Sequence, residues 1–314
     1  MTLTQSYSPE HPQLLLDLEV PTSGQAPAEG WPTIVWLHGG GWRLQDRLAR
    51  PDFTRHFADR GFAMASIDYR LAPDNTHPAQ VVDLRQALRW LRANADRLGI
   101  DPQRIGLWGS SAGAHVAAFA ALSARTAELQ GETVPEGYAS WSTDVSCVVD
   151  GYGPALIGDL LPEWSHSDPA RHTPEEDLLG GPAASAPEFD ALLDRAAAAS
   201  PALLDAADAP PFLILHGTGD TLVPAEQSQA LHDHLVTAGG ESLLCLIEGF
   251  GHGFLNPGEV QELGPGMRLD NGRLEAEPGA PCTVQGEGSF APGERGASFD
   301  LIHDFFAHHL QHNR

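Results

Sequence analysis

The chain has 314 residues, 42% of them hydrophobic, and a formal net charge of −24. All 18 basic residues are arginines, so mechanisms that need a lysine are excluded, including Schiff-base catalysis and the lysine of a P-loop. The acidic balance argues against a surface for nucleic acids or anionic membranes, because both require concentrated positive charge.

Taken in chain order, short apolar runs alternate with amphipathic segments, which is typical of a mainly parallel α/β sheet. The strands are predicted at residues 14–20, 33–38, 62–68, 104–108, 145–150, 212–216 and 243–248. Helices are predicted at residues 78–94, from about 112, at 225–238 and at 299–310. We expect one domain, residues 1–314.

Two stretches interrupt this alternation. Residues 153–208 contain only short helical patches, such as 189–198, and are predicted to form a cap. Residues 256–297 are polar and rich in glycine and proline, and are predicted to be an insertion. Within it, residues 267–275 resemble a small hairpin that turns at Asn271 and Gly272. Two interpretations of the insertion stay open: a solvated decoration, or a wall at the rim of a site.

The first residues have neither a basic start nor an apolar run, and no stretch approaches the roughly 20 apolar residues of a membrane span. The cysteines Cys147, Cys245 and Cys282 are widely spaced and odd in number, which favours free thiols, and the first two lie in apolar, strand-like runs. We therefore expect a soluble protein of the cytoplasm, with no membrane partner.

The pentapeptide GSSAG at residues 109–113 follows a predicted strand and opens an alanine-rich helix. A nucleophile on a tight strand-to-helix turn needs small neighbours, and the Gly-x-Ser-x-Gly frame places Ser111, not Ser110, at its centre. The alternative is an ordinary glycine-rich turn. Ser111 is the candidate nucleophile.

The sequence HGGGW at residues 38–42 directly follows another predicted strand. Consecutive glycines allow backbone N–H groups to converge on one point, as in an oxyanion hole, which the N–H of Ala112 would complete. A phosphate-binding turn is disfavoured because no Gly-Lys-Ser/Thr sequence follows. His38 itself is expected to be structural.

Two further polar side chains follow predicted strands. Asp220 comes shortly after the strand at 212–216, and His252 after the strand at 243–248. Parallel sheets collect their sites at the carboxyl ends of the strands, and the chain order Ser111, Asp220, His252 is that of an α/β-hydrolase. His216 is the main rival base, but its position before a Gly-x-Gly-Asp sequence favours a supporting role. His115 lies on a helical pattern and is expected at the surface or in packing.

These motifs, together with DYRLAP at residues 68–73, resemble the α/β-hydrolase esterases of the hormone-sensitive-lipase type. The resemblance implies that Ser111, Asp220 and His252 are a catalytic triad. It also implies that Gly40, Gly41 and Ala112 donate hydrogen bonds to the oxyanion.

The sequence departs from that family at two motifs. The family usually has GDSAGG at the serine and an Asp-Pro-Leu context at the acid, and neither occurs here. The stretch at residues 112–115 and the loop at 217–220 are closer to the feruloyl-esterase-like (BD-FAE-type) and kynurenine-formamidase-like branch. The fold and triad are unaffected by these departures, whereas the substrate is left open.

We therefore expect a serine carboxylesterase for short-to-medium acyl or aryl esters, with acetate to hexanoate preferred. It would need no cofactor, and no metal-binding motif occurs. An arylformamidase-like amidase, an acyltransferase and a non-catalytic ligand-binding relative remain alternatives, and a homodimer is left open. The predicted cap offers an apolar patch that would shape the substrate pocket, formed by Leu156, Ile157, Leu160, Leu161 and Trp164.

Overall fold

The computed structural model of the protein describes residues 2–163, 172–257, 269–293 and 295–311. Trp164 of the predicted apolar patch, and Met267 and Arg268 of the predicted hairpin, lie outside these residues.

The described strands form one nine-stranded sheet with the order β1-β2-β4-β3-β5-β6-β7-β8-β9. The pairs β1–β2, β2–β4 and β8–β9 are antiparallel and the remaining neighbours are parallel. The strands are β1 (Thr2–Ser6), β2 (Leu15–Glu19), β3 (Trp31–Leu37), β4 (Ala63–Ile67), β5 (Ile100–Ser110), β6 (Val148–Gly151), β7 (Phe212–Gly217), β8 (Ser242–Ile247) and β9 (Cys282–Gln285).

Helices connect the parallel strands and cover both faces of the sheet. They are α1 (Phe53–His56), α2 (Ala79–Ala93), α3 (Ala95–Leu98), α4 (Ala112–Leu122), α5 (Pro174–Leu178), α6 (Ala186–Ala198), α7 (Glu226–Thr237), α8 (Arg273–Ala276) and α9 (Phe299–Gln311).

Alternating residues of the central strands supply two apolar cores, one on each face of the sheet. On β3, Val35 and Leu37 belong to the core that includes α2 and α4, whereas Ile34 and Trp36 belong to the core beneath α9. This is the period-two geometry of a strand covered on both sides, and it explains why the central strands read as nearly continuous apolar runs. The parallel arrangement also gathers the carboxyl ends of β3, β5, β6, β7 and β8 at one edge.

The described structure corrects the sequence prediction in two places. The edge strands β1 and β9 were not predicted, because both are short and neither is fully buried. The predicted hairpin is wrong: the turn at Asn271 and Gly272 leads into the short helix α8 rather than into a second strand. Gly272 has a φ of 72°, so the sequence indicates the turn correctly but not the element after it.

All three cysteines are free, and Cys147 and Cys245 are buried, as expected. No helix among the described residues is long and apolar enough to cross a membrane. Within the same residues, no group of three or more His, Cys, Asp or Glu side chains is arranged to hold a metal ion.

Candidate active site

The central serine of GSSAG lies on the sharp turn between β5 and α4. Ser111 has a φ of 53°, a left-handed conformation that a non-glycine residue keeps only where its surroundings enforce it. The flanking glycines allow the close packing around this turn. A Cβ on Gly109 would lie 2.4 Å from the backbone of Gly113, and one on Gly113 would lie 2.2 Å from the carbonyl oxygen of Leu37. The strands and the helix therefore meet too closely for a side chain at either glycine.

The structure brings together the three polar side chains that the sequence places after separate strands. The Ser111 hydroxyl lies 2.8 Å from Nε2 of His252, and Nδ1 of the same ring lies 2.6 Å from Oδ2 of Asp220. This chain suits a neutral imidazole whose Nδ1–H donates to the carboxylate while Nε2 accepts from the serine. Ser110 is fully buried, and its hydroxyl donates to Asn256 instead. Of the two adjacent serines, Ser111 is the one that contacts the histidine.

Asp220 is held as an anion by its own loop. Its Oδ1 accepts hydrogen bonds from the N–H groups of Leu222 and Val223, at 2.9 and 3.0 Å. Burial by itself would raise the pKa of Asp220, but hydrogen bonds from His216, His252 and the Val223 N–H hold it well below its ordinary value. The carboxylate is therefore ionised throughout the neutral range.

His216, the rival base, uses both ring nitrogens inside the protein. Its Nδ1 lies 2.6 Å from the Ser228 hydroxyl, and its Nε2 lies 2.8 Å from the carbonyl oxygen of Val223 and 3.4 Å from Oδ2 of Asp220. The ring is completely buried. His216 thus supports the acid loop, in agreement with its predicted role.

The loop after β7 and the loop after β8 touch directly. The N–H of Gly219 donates to the carbonyl oxygen of Phe250 at 2.8 Å. A Cβ on Gly217 would lie 2.2 Å from the same oxygen. The glycines of the first loop therefore permit the close approach that places the carboxylate beside the imidazole.

The glycine turn after β3 lies next to Ser111. A Cβ on Gly39 would be 3.4 Å from Cβ of Ser111, and Gly41 and Ala112 line the same cavity as the serine. Among the described residues, the N–H groups of Gly40, Gly41 and Ala112 have no hydrogen-bond partner. These unpaired N–H groups belong to the two backbone segments that adjoin Ser111.

A tryptophan and a histidine fix this turn to the rest of the site. Nε1 of Trp42 donates to Nδ1 of His115 at 3.1 Å, and Nε2 of His115 donates to the carbonyl oxygen of Ala199 at 2.8 Å. Burial lowers the pKa of His115 to about 4, so the ring is neutral at pH 7. His115 is a packing residue that joins α4 to the turn after β3.

The DYRLAP segment contacts both ends of the same turn, at His38 and at Trp42. The Tyr69 hydroxyl donates to the carbonyl oxygen of His38 at 2.7 Å, and the two rings stack with centroids 4.3 Å apart. The N–H of Ala72 donates to the carbonyl oxygen of Trp42 at 2.9 Å. His38 is thus part of the scaffold behind the glycines.

Sequence reasoning missed Tyr152, which directly follows β6. Its φ is 48°, and its buried ring packs edge to face on His252, with centroids 4.7 Å apart. Its hydroxyl accepts a hydrogen bond from the N–H of Leu255 at 3.2 Å. A position just past a strand end was the available signal, but a tyrosine side chain does not titrate near neutral pH, so its chemistry did not mark it as a site residue.

A cavity of ≈ 280 Å³ opens beside Ser111. Of the predicted apolar patch, Leu160 lines this cavity, whereas Ile157 is buried in the core. Arg43 lies at the cavity wall and pairs with Asp177 at 2.9 Å. The other lining residues are largely apolar: Gly41, Trp42, Ala112, Pro154, Thr173, Pro174, Glu175, Leu222 and Val223.

The sheet order, the strained serine turn and the hydrogen-bonded Ser-His-Asp chain define an α/β-hydrolase fold, as predicted. The BD-FAE family model matches residues 16–235, more than two thirds of the chain, and the chain belongs to this family. The matched range includes Ser111 and Asp220 and ends before His252.

Relatives and solved structures agree with this assignment. Esterase LipC of Mycobacterium tuberculosis is 32% identical over 243 residues, which cover 73% of this chain and 54% of LipC. A truncated carbohydrate esterase from gut microbiota is 28% identical with a TM-score of 0.68, covering 80% of this chain and 89% of that one. Esterase 2 of Thermogutta terrifontis with propionate bound is 29% identical with a TM-score of 0.62, covering 83% and 88%. The chain spans about half the length of the curated relatives it matches.

Proposed function

We propose that the protein is a serine carboxylesterase that hydrolyses short-to-medium acyl or aryl esters through an acyl-enzyme on Ser111. The observation that carries the proposal is the continuous chain from the Ser111 hydroxyl through His252 to Asp220, with distances of 2.8 and 2.6 Å. This chain begins at a largely apolar cavity, which Gly41 and Ala112, each with an unpaired N–H group, also line.

In the proposed reaction, Ser111 Oγ attacks the ester carbonyl while Nε2 of His252 takes its proton. Asp220 keeps the proton on Nδ1 and stabilises the imidazolium that forms. His252 then protonates the leaving alcohol, and the acyl group stays on the serine. Water repeats the sequence on the acyl-enzyme, releasing the acid and restoring the free hydroxyl.

The negative charge that develops on the carbonyl oxygen needs donors that are already in place. We assign this role to the N–H groups of Gly40, Gly41 and Ala112. Preorganised donors of this kind contribute about 3 to 4 kcal/mol each to the barrier reduction. The proposed reaction calls for no cofactor, because nucleophile, base, acid and donors all come from the chain.

The acyl range follows from the cavity and from the relatives. The wall formed by Trp42, Leu160 and Pro174 limits a cavity of ≈ 280 Å³. The Thermogutta esterase, whose structure is similar, was solved with propionate bound. We propose a preference for acetate to hexanoate esters.

The domain plan belongs to the same proposal. We propose one α/β-hydrolase domain, with residues 153–208 as a cap and 256–297 as an insertion after His252. Leu160 and Pro174, at the cavity wall, support the cap assignment. The cytoplasmic location and a homodimer stay predictions.

A substrate panel tests the proposal. Purified protein is assayed with p-nitrophenyl esters from acetate to decanoate and with N-formylaniline, and products are analysed with and without a competing alcohol. An esterase gives a maximum kcat/KM between acetate and hexanoate and mainly free acid. A higher kcat/KM for the formamide indicates an amidase, dominant transfer to the alcohol indicates an acyltransferase, and no turnover at all indicates a binding protein; each of these would overturn the proposal.

A further inference from the structure

Residues 269–273 lie against the loop that carries His252, and we call them the histidine brace. The N–H of Asp270 donates to the carbonyl oxygen of His252 at 2.7 Å. The carboxylate of Asp270 accepts from the N–H of Gly251 at 2.6 Å. One residue of the brace therefore holds the backbone on both sides of the proposed base.

Arg273 extends the brace along the same loop. Its Nη1 lies 2.8 Å from Oδ2 of Asp270 and 2.8 Å from the carbonyl oxygen of Gly249. Its guanidinium carbon stands 4.0 Å from the centroid of the Phe250 ring. The arginine thus orients the Asp270 carboxylate through an ion pair, and it also binds the two residues before Gly251 through a hydrogen bond and a cation–π contact.

The brace also reaches the serine turn. The N–H of Gly272 donates to the carbonyl oxygen of Asn256 at 2.7 Å, and the side chain of Asn256 accepts from the buried Ser110 hydroxyl at 3.3 Å. The brace is therefore connected to the residue next to Ser111 through Asn256, by one backbone and one side-chain hydrogen bond.

The histidine loop needs such external support because glycines flank His252, and glycine leaves its own backbone conformation unrestricted. Gly251 and Gly253 flank His252, and Gly253 has a φ of 88°, so the backbone there is not restricted by side chains. A displacement of a catalytic group by about 1 Å costs on the order of 10²-fold in rate. Besides the bonds to Asp220 and Gly219, contacts with Asp270 and Tyr152 limit such a displacement.

We infer that Asp270 is a positioning residue for His252, acting through the backbone of residues 251 and 252. This inference rests on the proposed esterase function and adds to it a residue from outside the range matched by the family model. The proposal makes Asp270 necessary for the rate of proton transfer, not for substrate binding.

The test compares Asp270→Ala and Asp270→Asn with the matched control Glu275→Gln. Glu275 lies in the same segment but pairs with Arg55 and His56, at 2.9 and 3.2 Å, away from the histidine loop. For each protein we would measure kcat and KM with p-nitrophenyl acetate, the melting temperature, and the rate of serine labelling by a fluorophosphonate per titrated active site.

We expect Asp270→Ala to lower kcat and the labelling rate per site by about 10- to 100-fold with KM within twofold. Asp270→Asn keeps an acceptor for the Gly251 N–H and should fall less, and Glu275→Gln should match the wild type in both rates. A purely structural role would lower the melting temperature and the titratable fraction but leave the rate per site unchanged, and this result would overturn the inference. If Asp270→Ala does not fold, Asp270→Asn and Arg273→Gln decide the question by the same two rates.

The wild type separates the proposed function from the positioning role. A wild type that neither turns over esters nor is labelled contradicts the proposed function itself. A wild type that is active, together with an Asp270→Ala protein of unchanged kcat, contradicts the positioning role alone.

Discussion

The serine half and the histidine half of the site are built in different ways. Ser111 and the proposed donors at Gly40 and Gly41 lie in two short motifs that follow β5 and β3, and adjacent strands of one parallel sheet bring them together. His252 follows β8, but its loop is held by residues 269–273, which lie outside the sheet. Motifs that are fixed by their own strand ends can be recognised in a sequence, whereas a support that arrives from elsewhere in the chain cannot.

The serine half should show the largest effect. Ser111→Ala should lower kcat by on the order of 10⁴ to 10⁶, because the members of a triad act as a unit. Ser110→Ala removes a hydrogen bond to Asn256 and should keep most of the activity. Steady-state kinetics with p-nitrophenyl acetate checks both. A Ser110 variant that is inactive while the Ser111 variant works would reverse the roles of the two serines.

The second prediction concerns the acid that joins the halves. Asp220→Asn should leave the fold intact and cost roughly 10⁴ in kcat, since the amide favours the wrong tautomer of His252. Circular dichroism controls for folding. His216→Gln is the comparison, because that ring supports Asp220 and should matter less. Near-normal turnover in Asp220→Asn would show that another residue supplies the acid.

The third prediction concerns stability on the serine side. Burial depresses the pKa of His115 to about 4, while an unfolded histidine has a pKa of 6.5. The unfolded chain therefore binds the extra proton first, and the stabilisation present above pH 6.5 is lost as the pH falls towards 4. Protonating one such histidine in the unfolded chain but not in the folded chain lowers the free energy of unfolding by at most about 3 kcal/mol as the pH falls.

Urea titrations at pH 7.5 and 4.5 measure this loss. His115→Gln offers an oxygen to the Trp42 indole N–H and an amide to the Ala199 carbonyl oxygen, but glutamine does not titrate. Between pH 7.5 and 4.5 this variant should therefore lose about 2 to 3 kcal/mol less of its free energy of unfolding than the wild type. Burial lowers the pKa of His77 to about 3. This histidine is present in both proteins, so its contribution to the loss does not distinguish them. An equal loss in wild type and variant would contradict the role given to His115.

The smallest effect is expected at the cavity wall. Leu160→Ala enlarges the space beside Ser111 and should shift the kcat/KM ratio of octanoate to butyrate esters severalfold towards octanoate. Leu161→Ala alters the adjacent residue, which does not line the cavity, and should leave the ratio unchanged. A ratio that is equal in Leu160→Ala and wild type would mean that the acyl chain lies elsewhere.

Much of the fold could be predicted because it depends on local patterns. The seven predicted strands all occur in the sheet, since continuous apolar runs are what a doubly covered parallel sheet requires. β9 could not be predicted, because four residues with one valine in a glycine- and proline-rich stretch carry little periodicity. It pairs with β8 through backbone hydrogen bonds, and no side-chain pattern in the sequence indicates this pairing or its register.

The same distinction holds within the site. Ser111, Asp220 and His252 could be named because each follows a strand next to glycines that a close approach demands. Asp270 accepts a hydrogen bond from the backbone N–H of Gly251, and Tyr152 packs its ring on His252. Contacts of these two kinds occur throughout proteins, so neither residue could be recognised from its type. The prediction of a hairpin at residues 267–275 gave no indication of the role of Asp270, because it identified only a turn and not what the segment contacts.

Mapping the covalent adduct of a fluorophosphonate on the wild-type protein tests the central claim most directly. Tandem mass spectrometry of the peptide that contains residues 110 and 111 resolves the two adjacent serines. We predict a single adduct on Ser111, formed at the rate at which ester hydrolysis is lost. An adduct on Ser110 or on another residue, with ester hydrolysis lost in parallel, would contradict the assignment of Ser111 as the nucleophile.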